Sequence, residues 1–569
     1  MSRSDLRALL EQFGHDEFRP GQERIIRDLL DGRDVLAVLP TGAGKSLIYQ
    51  LAAQLLPGVT LVVSPLIALM KDQVESVEAA GLEVGVVNST QSEGESRGEL
   101  RQVEDGRAKL LYVTPERFDD EGFMEQARQM AVSLFVVDEA HCISEWGHSF
   151  RPSYLVLADA ATDLGRPLIL ALTATATPWV REDIIDRLGM RRPDVIVRGV
   201  DRPNLFFEVQ RVEKEEDDRR ILHRLFTDPQ AEYPPALAQQ LAETIRGSGI
   251  IYTATTKAAQ ETATWLNEWG ITADYYHGQR KKADRERVQD AFMSGALQVI
   301  AATNAFGLGV DKADVRFVIH RDVPGSLEAY YQEAGRAGRD GNFARCTLIY
   351  RPADLGRAAF LSSSGRLTRE EVERARVGLV ANPEASLREM GEITGLSKGD
   401  LARLLALLEG AGIVETQNGA VRMLVPDFDS EEISLEGEER RQAYERSRIE
   451  MMRGYVEIRE CRRRYILNYF GEEFEPDRCA ACDNDVSGAG EQRIQIKDGS
   501  PEVVSLPFAL GDRVAHENWG DGVVQRITDE SVVVLFDTVG YKTLASNLIE
   551  ERGLLRKTES DAGRKGRRS

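Results

Sequence analysis

Two short segments hold residue types at spacings suited to splitting a nucleoside triphosphate. Leu39-Pro-Thr-Gly-Ala-Gly-Lys-Ser46 places two glycines, a lysine and a hydroxyl in one turn. A glycine-rich turn that opens a helix aims backbone N–H groups and the positive helix end at an anion, which cradles phosphate. Lys45 would then reach the terminal phosphates and Ser46 would hold magnesium. Leu39 stands where the strict form of this pattern has its first glycine. Further on, Asp138-Glu139-Ala140-His141 supplies adjacent carboxylates. One can hold the magnesium, and the other can orient or deprotonate the attacking water.

Those side chains need strands that end beside one another. Val35-Leu-Ala-Val38 before the glycine turn and Leu134-Phe-Val-Val137 before the acidic pair are apolar enough for buried strands, and Ser46–Leu55 has helical spacing. Ligands of open α/β sheets sit at the carboxyl ends of such strands. Similar runs follow at 60–64, 110–114 and 168–171, alternating with helical segments, and the pattern restarts at 249–253, 298–301, 317–320 and 346–350. The expected architecture is therefore α/β, with two parallel-sheet domains in series. The charged run Glu213–Asp218 inside the second reads as a solvated face or loop.

Composition bounds the rest. A chain of 569 residues can bury several cores. No apolar run reaches membrane-spanning length, and the first residues lack the apolar stretch of a secretion signal, so no membrane partner is expected. Five cysteines do not make a disulfide scaffold and suit a reducing cytoplasm. A net charge of −21 argues against nucleic-acid binding over the whole surface but leaves room for a local basic channel.

The motifs resemble, in order, those of RecQ-type DNA helicases of superfamily two, across roughly residues 1–355 and again at 440–486. Phe13–Gln22 resembles the family's adenine-recognition motif, with Gln22 reading the base and Arg19 beside it. Segments 64–73 and 114–118 resemble strand-tracking motifs, and Leu172-Thr-Ala-Thr-Ala-Thr177 the segment coupling hydrolysis to DNA. Tyr276–Gln279, Ala302–Asp311 and Tyr331–Arg339 match the later motifs. The resemblance implies two RecA-like motor domains and places Arg19, Gln22, Thr41, Gly42, Ala43, Gly44, Lys45, Ser46 and Asp311 around ATP. Gln332, Arg336 and Arg339 recur at one-turn spacing on an expected helix, so they should share a face. Either Arg336 or Arg339 would be the arginine that crosses to the γ-phosphate and makes hydrolysis depend on cleft closure. His141 and Thr173 would couple the site to DNA.

Directly after the acidic box, Cys142–Tyr154 interleaves Trp146, Phe150 and Tyr154 with His148 and Arg151, a composition suited to stacking on bases and touching phosphate. It resembles the RecQ aromatic-rich loop. Cys142 and Cys346 read as structural. Cys461 with Cys479-Ala-Ala-Cys482 is a zinc signal in a reducing compartment. The region resembles the RecQ zinc subdomain except that Asp485 stands where the family has a fourth cysteine; three thiolates and a carboxylate can still close a tetrahedron, and a degenerate, metal-free site is the alternative.

Between motor and zinc region, Ser386–Gly395 and Lys398–Leu408 read as helix, turn, helix. Ile413–Thr416 and Val421–Val425 then flank an Asn418-Gly419 turn, giving a winged-helix pattern suited to duplex DNA or to protein packing. RecQ proteins usually carry this unit after the zinc module. From Leu510 onward, short strands with Gly-Asp-Gly turns suggest a five-stranded SH3- or Tudor-like barrel. It is similar to the C-terminal barrel of UvrD-type helicases, a docking module that in that family serves partners including RNA polymerase. The basic tail Arg564–Arg568 would have weak affinity for nucleic acid.

The expected division is 1–208 first RecA-like domain, 209–355 second, 356–428 winged helix, 440–487 zinc module, 488–504 linker, 505–556 barrel and 557–569 basic tail. The expected activity is an ATP- and magnesium-dependent 3′–5′ helicase on single-stranded and tailed duplex DNA, acting in repair or recombination, cytoplasmic and nucleoid-associated. The rivals are a translocase that remodels protein–DNA complexes without unwinding, and an RNA helicase.

Overall fold

The computed structural model of the chain describes residues 3–558 except 41, 66, 89, 92, 145–149, 200, 215, 228–232, 308–311, 357–366, 418–419, 473, 475, 477, 487–506, 510–511 and 528–530. Thr41, Trp146, His148, Asp311, the Asn418-Gly419 turn, the 488–504 linker and the tail beyond 558 thus lie outside the described residues.

The apolar runs form two parallel sheets. The first has seven strands, β1 (Val35–Val38), β2 (Val59–Val63), β3 (Val84–Val87), β4 (Leu110–Val113), β5 (Val132–Val137), β6 (Leu168–Thr173) and β7 (Asp194–Val197), in the order β3-β4-β2-β5-β6-β1-β7. The mostly apolar character of β1 to β6 follows from burial on both faces, as parallel sheets require, while β7 at the edge is only partly buried. The order matters for function: β5, β6 and β1 are neighbours, so the acidic box, Thr173 and the phosphate loop emerge side by side. Register fixes them further, with Val38 opposite Thr173 and the Leu39 N–H donating to the Thr173 carbonyl at 2.9 Å.

The second sheet has six strands, β8 (Leu205–Arg211), β9 (Ser248–Tyr252), β10 (Ala273–Tyr276), β11 (Val299–Ala302), β12 (Val315–His320) and β13 (Ala344–Tyr350), ordered β10-β11-β9-β12-β13-β8. Strand β8 corrects the expected 208/209 boundary. It pairs along its whole length with β13, so the second domain starts before Leu205. The charged run at 213–218 needs correcting too. Asp218 is fully buried and lies 3.3 Å from Arg321 and 3.1 Å from Arg351, tying its helix, Glu216–Thr227, to the sheet. An acidic residue that faces two buried guanidinium groups is a structural ion pair, invisible to a reading of local charge alone.

Residues 367–435 form a separate small core from helices Arg369–Ala381, Leu387–Thr394 and Lys398–Gly410 and an antiparallel sheet of β14 (Glu384–Ser386), β15 (Val414–Gln417) and β16 (Ala420–Met423), ordered β14-β16-β15. Gly395, at φ 71°, ends the second of these helices, and Ser397 caps the third. A long helix, Glu436–Glu457, leads to helix Arg462–Tyr469, whose first turn follows Cys461. The chain ends in a five-stranded antiparallel sheet, β17 (Arg513–His516), β18 (Gly520–Ile527), β19 (Ser531–Phe536), β20 (Gly540–Ala545) and β21 (Arg556–Lys557), in the order β20-β19-β18-β17-β21. Among the described residues no helix is long and apolar enough to cross a membrane.

Candidate active site and metal centre

The phosphate loop closes onto helix Lys45–Leu55, with Gly42 and Gly44 at φ 84° and 71°, values that a side chain adopts only at a cost. Lys45 Nζ donates to the Leu39 carbonyl at 3.3 Å, and Ser46 is half-buried at the helix start. Gln22 and Arg19, expected at the adenine, both bond to this loop. The Gln22 amide donates to the Ala43 and Gly44 carbonyls at 2.9 and 3.0 Å, and the Arg19 guanidinium donates to the Gly42 carbonyl.

At the end of β5, Asp138 is buried, and desolvation together with the neighbouring Glu139 raises its carboxyl to about 7, against the pull of Lys45. Glu139 sits at φ 49° in the left-handed region, which is rare for a non-glycine residue and marks a backbone bent to aim a side chain. Glu139 Oε2 is 3.3 Å from His141 Nδ1, and the same nitrogen is 2.9 Å from Thr173 Oγ1. The Thr173 hydroxyl donates on to the Thr175 carbonyl at 3.2 Å. Burial drives the imidazole down to about 3, so His141 is neutral and relays position rather than charge. Short contacts thus run from the Glu139 carboxylate through His141 to Thr173 of the 172–177 segment.

The 142–154 segment divides. The Arg151 N–H donates to the Cys142 carbonyl at 2.9 Å and its guanidinium donates to the Pro65 carbonyl at 2.9 Å, so Arg151 closes the loop while Phe150 stays half-buried beside it. Tyr154, read as a stacking residue, is fully buried, and its hydroxyl donates to the Asp138 carbonyl at 2.9 Å. It supports the acidic box and cannot stack on a base. Cys142 and Cys346 are buried, as expected of structural thiols.

The second domain supplies the arginines, though not from one helix face. Helix Leu327–Ala334 carries Gln332 and stops before Gly335, so Arg336 and Arg339 stand on the turn beyond it. The two point apart. The Arg336 guanidinium donates to the Gly307 carbonyl of its own domain. Arg339 leans across to the first domain, where a Cβ built on Gly42 would stand 3.3 Å from its Cγ. Sequence reasoning missed what holds this turn. Arg202, between the sheets, donates to the carbonyls of Gly335, Ala337 and Gly338 at 3.2, 2.9 and 2.7 Å, and Asn204 to Gly338 at 2.8 Å. Arg463 in turn grips Asp201 and the Arg202 and Leu205 carbonyls, each at 2.6 Å. Only the tertiary fold brings residues 202, 338 and 463 together.

Arg463 belongs to the metal centre. One donor atom from each of Cys461, Cys479, Cys482 and Asp485 lies within 4.8 Å of the others. Thiol hydrogen bonds from Cys479 and Cys482 lower Cys461 to about 4, and its place before the Arg462–Tyr469 helix start also favours thiolate. Asp485 Oδ2 accepts from the Cys479 and Ala480 N–H groups at 2.6 and 3.2 Å, which leaves its other oxygen for an ion. Three soft thiolates and one carboxylate fit tetrahedral zinc.

Comparison with known proteins agrees with this geometry. The DEAD/DEAH box helicase family matches residues 19–184, the helicase conserved C-terminal domain 233–341, and the RecQ zinc-binding family 415–486. The probable ATP-dependent DNA helicase RecS of Bacillus subtilis is 36% identical over 84% of this chain and 92% of its own length. The chain belongs to the RecQ-type ATP-dependent DNA helicases. The Bacillus subtilis RecQ helicase is 35% identical over 84% of this chain, and that of Pasteurella multocida 40% identical over 62%. This RecQ-type chain spans 66% of the first and 53% of the second.

Proposed function

We propose that this RecQ-type chain is an ATP-driven motor that moves 3′ to 5′ on single-stranded DNA and unwinds tailed duplexes, in repair or recombination. The observation that carries the reading is the approach of Arg339 to Gly42, which sets the aliphatic stem of a second-domain arginine against the loop that leads to Lys45 and Ser46. In this reading Lys45 and Arg339 neutralise the phosphates from opposite sides, and Glu139 orients the attacking water. Magnesium, bound with the nucleotide by Ser46 and Asp138, would spread the charge of the phosphates. The path Glu139–His141–Thr173 passes the state of the site to the DNA-facing 172–177 segment. Thr41 and Asp311 complete the nucleotide shell, Gln22 and Arg19 read the base after releasing the loop, and Trp146, His148, Phe150 and Arg151 meet the strand. Zinc on Cys461, Cys479, Cys482 and Asp485 is structural.

The 367–435 unit has the element order of a winged helix, and we assign it that fold. Its arginines do not favour a duplex-binding face. Arg369, Arg374, Arg376, Arg388, Arg403 and Arg422 each pair with a carboxylate within the same unit. That supports a second reading, a translocase that remodels protein–DNA complexes without separating strands. The relatives named as DNA helicases favour DNA over RNA as substrate. A nucleoid-associated location, and an RNA polymerase-like partner for a barrel built on the C-terminal sheet, extend the same reading.

Strand separation on 3′-tailed, 5′-tailed and RNA duplexes tests it, with Lys45→Ala and Glu139→Gln as controls. Unwinding of the 3′-tailed DNA alone, reduced at least about a hundredfold in both variants, is the expected result. DNA-stimulated hydrolysis without unwinding would establish the translocase.

A further inference from the structure

The C-terminal sheet is not a free appendage. Val533 and Leu535 of β19 and Tyr541 of β20 are buried in one apolar cluster with Tyr444, Tyr469 and the inner face of the second motor sheet. The opposite face, Val514, Val524, Val532, Val534, Phe536 and Leu544, forms a small core of its own. The turn into β20 is pressed close: a Cβ at Gly540 would stand 2.5 Å from Ser447 Oγ and 3.0 Å from the Tyr444 Cα.

Tyr541 sits where this cluster meets both motor domains. Its ring centroid is 5.4 Å from Tyr469 and 6.0 Å from Tyr444. On the second-domain side, the Tyr469 hydroxyl donates to Glu328 Oε1 at 2.6 Å, and Arg448 donates to Ser326 Oγ at 2.7 Å. Both bonds fall on the first turn of helix Leu327–Ala334, which leads into the turn bearing Arg339. On the first-domain side, Thr177 caps helix Pro178–Arg187, and its hydroxyl lies beside that of Tyr541. Trp179 packs on the same cluster, and a Cβ at Gly471 would stand 2.9 Å from Pro178 Cγ. Thr177 closes the 172–177 segment whose Thr173 meets His141.

We propose that Tyr541 is a positioning residue of the motor: the C-terminal sheet wedges between helices Pro178–Arg187 and Leu327–Ala334 and sets the angle at which Arg339 approaches the phosphate loop. The proposal rests on the ATPase reading above and assigns the sheet an internal task beside any docking. Its aromatic key touches no substrate. It acts on turnover through the two helix starts that it separates, where displacements of about 1 Å in such supports can cost on the order of a hundredfold in rate.

Steady-state ATP hydrolysis by the full chain, with and without single-stranded DNA, provides the test. Wild-type turnover that DNA fails to stimulate would sink the motor reading itself and is scored separately. Given a stimulated wild type, Tyr541→Ala should lower DNA-stimulated kcat about tenfold or more, with KM for ATP within about twofold, and Tyr541→Phe should restore it because the ring is the wedge. Glu328→Gln, which leaves every buried volume intact, should reproduce the kcat loss where Tyr541→Ala fails to fold. Unchanged DNA-stimulated kcat in a folded Tyr541→Ala, or in Glu328→Gln if the alanine variant does not fold, would overturn the proposal. So would a fall confined to KM.

Discussion

The two motor domains contribute to one site by different means. In the first, Asp138, Glu139 and Thr173 sit at the ends of adjacent parallel strands, and Lys45 opens the helix that follows the loop leaving β1. In the second, Arg339 stands on an irregular turn after helix Leu327–Ala334, held by Arg202, Asn204 and, through the connecting strand, Arg463. The first half of the site is rigid because a sheet is rigid. The second is tied to β12 by the Gly338 N–H donating to the Val315 carbonyl at 2.8 Å, and it needs in addition side chains from the segment before β8 and from the zinc region.

The sharpest way to break this contrast is to remove the two arginines in turn. Arg339→Ala should reduce ATP turnover by roughly a thousandfold, the range for an arginine supplied across a cleft, and shift the thermal midpoint less than Arg336→Ala does. Arg336→Ala should lower the midpoint as well, because its buried guanidinium serves the Gly307 carbonyl. Melting curves read beside kcat separate the two. Equal losses of turnover with equal melting shifts would mean that the arginines act as one face, as their spacing suggests.

That spacing shows where sequence reading stops. The phosphate loop, the acidic box and the alternation of strands were legible because strand-ending chemistry is written in consecutive residues. The arginines share a three-residue spacing, but Gly335 ends the helix before either can use it. Likewise Asp218 reads as one more charge in an acidic run until Arg321 and Arg351 arrive from distant strands. Gln22 was legible as belonging to the site, but its grip on the loop carbonyls was not. Long-range partners have no local signature.

A smaller effect is expected from Arg202. Its guanidinium satisfies three carbonyls of the arginine-bearing turn. Arg202→Ala should cost about tenfold in kcat, with nucleotide affinity nearly intact, since it loosens the aim of Arg339 and leaves its charge in place. Arg202→Lys should recover little, because one ammonium cannot serve three carbonyls in a fork. Full rescue by lysine would show that charge at the turn, and not its geometry, is what matters.

The smallest effect concerns the metal end of the same support. Cys461 and Arg463 are two residues apart, so the ion cluster and the grip on Asp201 share one helix turn. Asp485 has two faces there: one oxygen accepts from the Cys479 and Ala480 N–H groups and the other is left for an ion. Replacing it with cysteine exchanges a hard ligand for a soft one and weakens the two backbone bonds. Asp485→Cys should therefore slow zinc loss to a chelator on the order of tenfold and change ATP turnover by less than about twofold. Stripping the zinc altogether should go further and resemble Arg202→Ala, because Arg463 then loses its fixed helix start. If chelation left turnover untouched while zinc departed, the outside support of the second domain would end at Arg202, and the contrast between the two halves of the site would narrow to a single residue.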